Sequence, residues 1–178
     1  MISRNYLPVH FRFFFVIGLL YFAFVFTITS KENPTLPEFS LHDQFGKAHK
    51  TSDLKGKSTI LVGCLPQDRE LCRRLARKIF WKIQTYSYGQ EEKIVCLGYL
   101  SLGEENRSQI QPLEHLLSKP GYEPILLDWN NQLREGIIKG KVYVRGFNRR
   151  GKEIVSEQWT ETNNQKVKSL FEKVMTSN

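Results

Sequence analysis

The chain has 178 residues, a formal charge of +8, 40% hydrophobic residues and three cysteines. That length suits one ordinary globular domain, and the apolar share with charges of both signs excludes a disordered chain. Three cysteines without CxxC…CxxC or HxxxH spacing exclude a disulfide-dense scaffold and suggest neither zinc nor any other cofactor.

Residues 1–12 carry Arg4 and Arg12 ahead of an uncharged, proline-free run from Phe13 to Thr29, FFFVIGLLYFAFVFTIT. These seventeen residues would span roughly 25 Å as a helix, enough to cross a hydrocarbon core. No polar stripe breaks the run at any helical phase, so it does not read as a buried globular helix. Basic residues on the short upstream side predict that the start stays in the cytoplasm and the remainder is exported. A cleaved signal peptide is the competing reading. Thr27-Ile28-Thr29 before Ser30 is a poor cleavage site, and no cysteine follows for lipid attachment, so an uncleaved anchor is expected.

The predicted organisation is a cytoplasmic 1–12, a transmembrane signal anchor 13–29, a linker 30–36 and one domain over 37–178. The expected location is a bacterial inner membrane, crossed once, with the domain on the periplasmic side. The polar linker SKENPTL spans at most roughly 25 Å and would hold that domain near the bilayer. Of 26 basic residues two lie upstream, so 24 basic and 18 acidic residues leave the exported part at +6. That excess could adhere to anionic headgroups but reads first as simple solubility; the membrane, through the single amino-terminal helix, is one expected partner and an envelope protein another. Nucleic acid is not, because an exported domain does not meet it and no aromatic-basic interleaving stands out.

Along the domain, Glu38 to Leu41 alternates polar and apolar before a turn at His42 to Gly46, and Thr51 to Leu54 reads as a capped helical turn. Ser58 to Cys64 is a short apolar run, as in a strand buried on both faces. Asp68 to Tyr86 is the clearest helix, with Asp68 as its cap and Leu71, Leu75, Ile79 and Ile83 every fourth residue. Lys93 to Leu100 is a second buried strand, and Asn106 to Ser118 a weaker helix interrupted by Pro112. Pro124 to Asp128 is a third apolar strand, followed by a short helical stretch around Gln132 to Gly136. Lys141 to Phe147 and Lys152 to Gln158 flank Asn148-Arg149-Arg150-Gly151 as a hairpin, and Asn163 to Met175 is an amphipathic helix. Strands that first alternate with helices and then end in a hairpin and helix predict an α/β sandwich with a mixed sheet.

The opening stretch LPEFSLHDQFGKAHKTSDLKGKSTILV, through Pro37, Phe39, Leu41, Asp43, Gly46, Leu54, Gly56 and Lys57, resembles the redoxins. These thioredoxin-like proteins include peroxiredoxins and membrane-tethered thiol–disulfide oxidoreductases. The FNRRGKEI hairpin and terminal helix are compatible with the same family, so the resemblance runs from about Leu36 to Val174. It implies a thioredoxin-like three-layer sandwich with a mixed central sheet. It also implies a reactive cysteine between the first core strand and its helix, where the helix amino terminus stabilises a thiolate.

That loop reads Gly63-Cys64-Leu65-Pro66-Gln67-Asp68-Arg69-Glu70-Leu71-Cys72. Without gaps, Asp68 and Leu71 fall at the positions of the family's CxxC; with one insertion, Arg69 and Cys72 do. Neither placement yields two cysteines, and the PxxxTxxC pattern of peroxiredoxins is missing too. The family's cis-proline would fall near Val142, yet no proline follows Pro124, and a trans bond is expected there. Copper-handling relatives need CxxxC and a histidine near Lys139-Gly140, and this chain has neither. His42, His49 and His115 are scattered.

The expected function is a membrane-anchored extracytoplasmic binding or scaffold domain that has lost thiol catalysis. The alternative is a thiol–disulfide oxidoreductase or peroxidase using Cys72, with Cys64 as its partner. Arg69, Arg73 and Arg74 flank Cys72 and would lower its pKa, opposed by Asp68 and Glu70, although its place beside the apolar stripe suits inert packing. Cys96 reads as strand packing. Trp81, Tyr86 and Tyr88 are expected to pack under the sheet, the basic helix face from Arg69 to Lys82 to be solvated, and Asp128 to form a turn.

Overall fold

The computed structural model describes residues 34–103 and 123–177. Seven strands form one sheet: β1 (Ser40–Asp43), β2 (Ala48–Lys50), β3 (Ser58–Cys64), β4 (Ile94–Ser101), β5 (Ile125–Asp128), β6 (Val142–Phe147) and β7 (Glu153–Trp159). Their spatial order is β2-β1-β5-β4-β3-β6-β7. β3, β4 and β5 run parallel, while β1, β2, β6 and β7 pair antiparallel, so the sheet is mixed as predicted. Every residue of β3 is buried, which explains its unbroken apolar run STILVGC.

Helices α1 (Arg69–Tyr86) and α2 (Asn164–Thr176) pack on one face of the sheet. The α1 residues that reach this core are Cys72, Leu75, Ile79 and Ile83, with Leu71 half-buried at the margin. α2 contributes Val167, Leu170 and Val174, and its Asn163 cap accepts a hydrogen bond from the Lys166 N–H at 2.8 Å. A second cluster on the opposite face joins Phe39, Leu41, Leu54, Leu61, Tyr99, Leu126, Leu133 and Phe147. Two close approaches fix the sheet. A side chain at Gly63 would overlap the Tyr99 ring, and one at Gly146 would press on Val174 at 2.5 Å.

Several expectations need correction. Gln132 to Gly136 is a series of turns, not a helix. Asn131 and Gly136 have positive φ, and the buried Asp128 carboxylate accepts the N–H groups of Gln132 and Leu133 at 2.8 Å each, so these donors are not free for a helix. Asp128 is thus a turn-former, as expected. Pro34 to Leu36, read from the sequence as the end of the linker, are fastened to the β6–β7 corner. Leu36 donates to the Gly151 carbonyl at 2.7 Å, and Glu153 donates to that of Pro34 at 2.8 Å. The expected helix over 106–118, His115, the segments 1–12 and 13–29 and most of the linker lie outside the described residues. No helix among the described residues is long and apolar enough to cross a membrane.

Candidate functional site

The β3–α1 junction holds the two cysteines singled out from the sequence. β3 ends on Cys64, which has no exposed surface; Leu65 is extended, and Pro66–Asp68 forms a 3₁₀ turn leading into α1. Cys72, in the first turn of α1, is 5% exposed. The structure brings the pair near each other, with no disulfide between them, and both belong to the core. The Cys72 contact, then burial, then the negative charge of Asp68 push the Cys64 thiol up, away from the thiolate form. Arg73 turns to Glu70, Nη2 to Oε2 at 3.0 Å, and Arg69 and Arg74 are exposed, so these cations do not enclose the buried sulfur.

Above the thiols lies a bond that the sequence did not reveal. Asp68 does not cap α1 with its side chain; instead its Oδ2 accepts the Gly140 N–H at 2.9 Å. Gly140 belongs to the turn that leads into β6, the stretch where the resemblance would place a cis-proline near Val142. No cis peptide bond occurs among the described residues. Asp68 also stands at the first CxxC position in the ungapped count. The helix mouth therefore presents a carboxylate already bonded to the loop before β6, and the two nearby thiols are buried.

Two other buried ionisable groups, Arg145 and Asp43, are internally paired. The Arg145 guanidinium on β6 contacts Glu153, Nε to Oε1 at 2.7 Å, and lies over the Tyr143 and Phe147 rings at 5.5 and 5.0 Å. Burial pushes this group down, but the hydrogen bond and charge of Glu153, with Tyr143 and Tyr99, together outweigh it and raise it further. In the β1–β2 turn, burial pushes Asp43 up, while the His49 ring and the N–H groups of Lys47 and Phe45 more than compensate, so its carboxyl sits below the usual range.

Cys96 is half-buried, not fully packed. It lines a mainly apolar cavity of about 240 Å³ between α1 and β4, and burial pushes its thiol up to about 12. The charged groups on that cavity's rim are already paired, His49 with Asp43 and Arg77 with Glu123 at 3.7 Å. No three His, Cys, Asp or Glu side chains converge on one point among the described residues. The aromatic expectation at the end of α1 fails: Trp81 is 54% and Tyr88 87% exposed, and of the three Tyr86 alone packs inward, against Phe171 at 5.8 Å.

No family model and no curated protein matches the chain. Solved structures do. The exposed lipoprotein thioredoxin of Streptococcus pneumoniae aligns with TM-score 0.56 and 16% identity, over 76% of this chain and 98% of that one. This chain has a thioredoxin-like fold. The thioredoxin domain of a thiol–disulfide oxidoreductase from Bacteroides vulgatus aligns with TM-score 0.54 and 13% identity, covering 81% and 98% of the two chains. ScoI of Bradyrhizobium japonicum, in a copper-bound form, gives 0.52 and 13% identity, covering 80% and 100%. The likeness supports the α/β architecture and mixed sheet expected from the sequence.

Proposed function

We propose that this chain is a membrane-anchored, extracytoplasmic thioredoxin-fold protein that works as a non-catalytic binding or scaffold domain of the cell envelope. One observation carries the proposal. Where a redox member of this fold needs an accessible thiolate, Asp68 is bonded to Gly140, and the two nearby thiols lie in the core. A sulfur with almost no exposed surface is out of reach of a disulfide substrate, and the carboxylate at the helix mouth is already engaged by Gly140. The anchor is supported by the uncharged run 13–29 and the basic residues ahead of it.

The second reading has its own observation, the contact between Cys64 and Cys72. In it, an incoming disulfide accepts two electrons and two protons from the pair and leaves as two thiols, while a Cys64–Cys72 bond forms. One experiment separates the readings. The full-length chain in mild detergent is incubated with an insulin disulfide and excess dithiol reductant. No rate above the reductant alone supports the binding domain; turnover abolished by Cys72→Ser refutes it. Fractionation of expressing cells tests the anchor, which predicts retention in the membrane pellet after an alkaline wash.

A further inference from the structure

The outward surface of α1 has no role in that reading. From Leu71 to Gln90 the sequence contains five cations, Arg73, Arg74, Arg77, Lys78 and Lys82, and no acidic residue. Trp81 lies among them on the open surface, bounded by one carboxylate, Glu70. Arg73 is paired with Glu70, Arg77 with Glu123, and Lys78 donates to the Thr162 carbonyl at 3.1 Å. Arg74 and Lys82 have no ion pair or hydrogen bond among the described residues. Past Glu70, no acidic residue of this helix stands three or four positions from a cation, so the face lacks the alternating signs that would neutralise it. Two residues past the end of the helix, Tyr88 stands almost fully in solvent.

We propose that this face, from Arg74 to Tyr88, docks on the headgroups of an anionic phospholipid bilayer. The inference rests on the membrane-anchored reading above and deepens it. Exposed Trp and Tyr beside Lys and Arg match the headgroup layer, where an aromatic ring sits with one side apolar and its polar tip wet while cations meet lipid phosphates. Chain length favours a bilayer over an acidic protein. Because Pro34 to Leu36 are fastened to the β6–β7 corner, four residues of sequence, 30–33, separate them from the proposed anchor, and four residues span at most about 14 Å. A domain held that close meets the lipid surface at very high effective concentration.

The test uses the full-length chain in lipid nanodiscs made of phosphatidylcholine, with or without phosphatidylglycerol, each doped with a lipid carrying a shallow nitroxide quencher. The Trp81 signal is the difference between the wild type and Trp81→Phe. Docking predicts Trp81 quenching in the anionic discs, its loss in high salt, and its loss in the triple variant Arg74→Gln/Lys78→Gln/Lys82→Gln. Each cation removed weakens the contact by about fivefold. Equal quenching in neutral and anionic discs, or none in either, overturns the proposal. So does a Trp81 emission shift caused by soluble polyglutamate but not by anionic discs, which would make the face a protein-binding one. Failure of the anchor looks different, because the chain would then not co-elute with neutral discs. The docking face is then judged with free anionic vesicles, where quenching of Trp81 supports it and absence of quenching refutes it.

Discussion

Helix α1 has a mouth and an outer face, and the chain treats them in opposite ways. At the mouth every notable group is satisfied from within: Asp68 by Gly140, Cys64 by Cys72, and both sulfurs by the core. Along the outer face five cations accumulate against the two carboxylates Glu70 and Glu123, and an indole stays in water. The positive end of the helix dipole, which this fold can lend to a thiolate, is here taken up by a carboxylate tied to another loop. Activity on this scaffold is thus better sought on the helix's flank than at its tip.

The comparison is broken most violently beneath the mouth. Gly63→Ala would drive a methyl group into the buried Tyr99 ring and is expected to cost about 3 kcal/mol, read as a lower urea midpoint. If the variant is as stable as the wild type, the mouth is not part of the rigid core. Asp43→Ala, at the far edge of the sheet, calibrates a purely structural polar site. It leaves the Phe45 and Lys47 donors and the His49 ring unpaired, at a cost of about 2 kcal/mol. The same carboxylate gives a pH signature. Its folded pKa lies below its unfolded value, so its contribution is present above the ordinary carboxylate range and is lost as pH falls through the lowered value. Acid titration of Asp43→Asn should show a shallower loss of stability than the wild type.

Asp68→Ala sharpens the comparison directly. Losing one hydrogen bond at a partly exposed site should cost about 1 kcal/mol and speed alkylation of Cys72 in the native state. Mass spectrometry after a brief alkylation pulse reads the second effect, and unchanged protection would mean that core packing alone shields the thiols. The smallest expected effect belongs to the outer face. Arg74→Gln with Lys82→Gln should change unfolding free energy by less than about 0.5 kcal/mol, because neither side chain is held by the fold. A larger loss would give those cations a structural role.

The framework was legible from local pattern. The apolar runs at 58–64 and 124–128, the hairpin around Asn148 to Gly151 and the terminal helix over 163–175 all reappear within a residue or two. The misplacement of Trp81 is instructive. The buried stripe of α1 is Cys72, Leu75, Ile79 and Ile83, and residue 81 is two positions, about 200° of helical turn, from either neighbouring member. The period itself pointed outward; aromatic size was the wrong guide. The Asp68–Gly140 bond could not be read at all, since it joins residues 72 apart whose meeting depends on the completed sheet. The turns after Asp128 were missed for a related reason: a buried carboxylate captured two N–H groups that the local sequence leaves available to a helix.

The fastening of Pro34 to Leu36 has a mechanical corollary. Tension arriving from the amino-terminal side is loaded first onto two backbone hydrogen bonds at the head of an edge strand, not onto the interior. If the chain is anchored as proposed, those bonds would act as a fuse, releasing three residues before the load reaches the sheet.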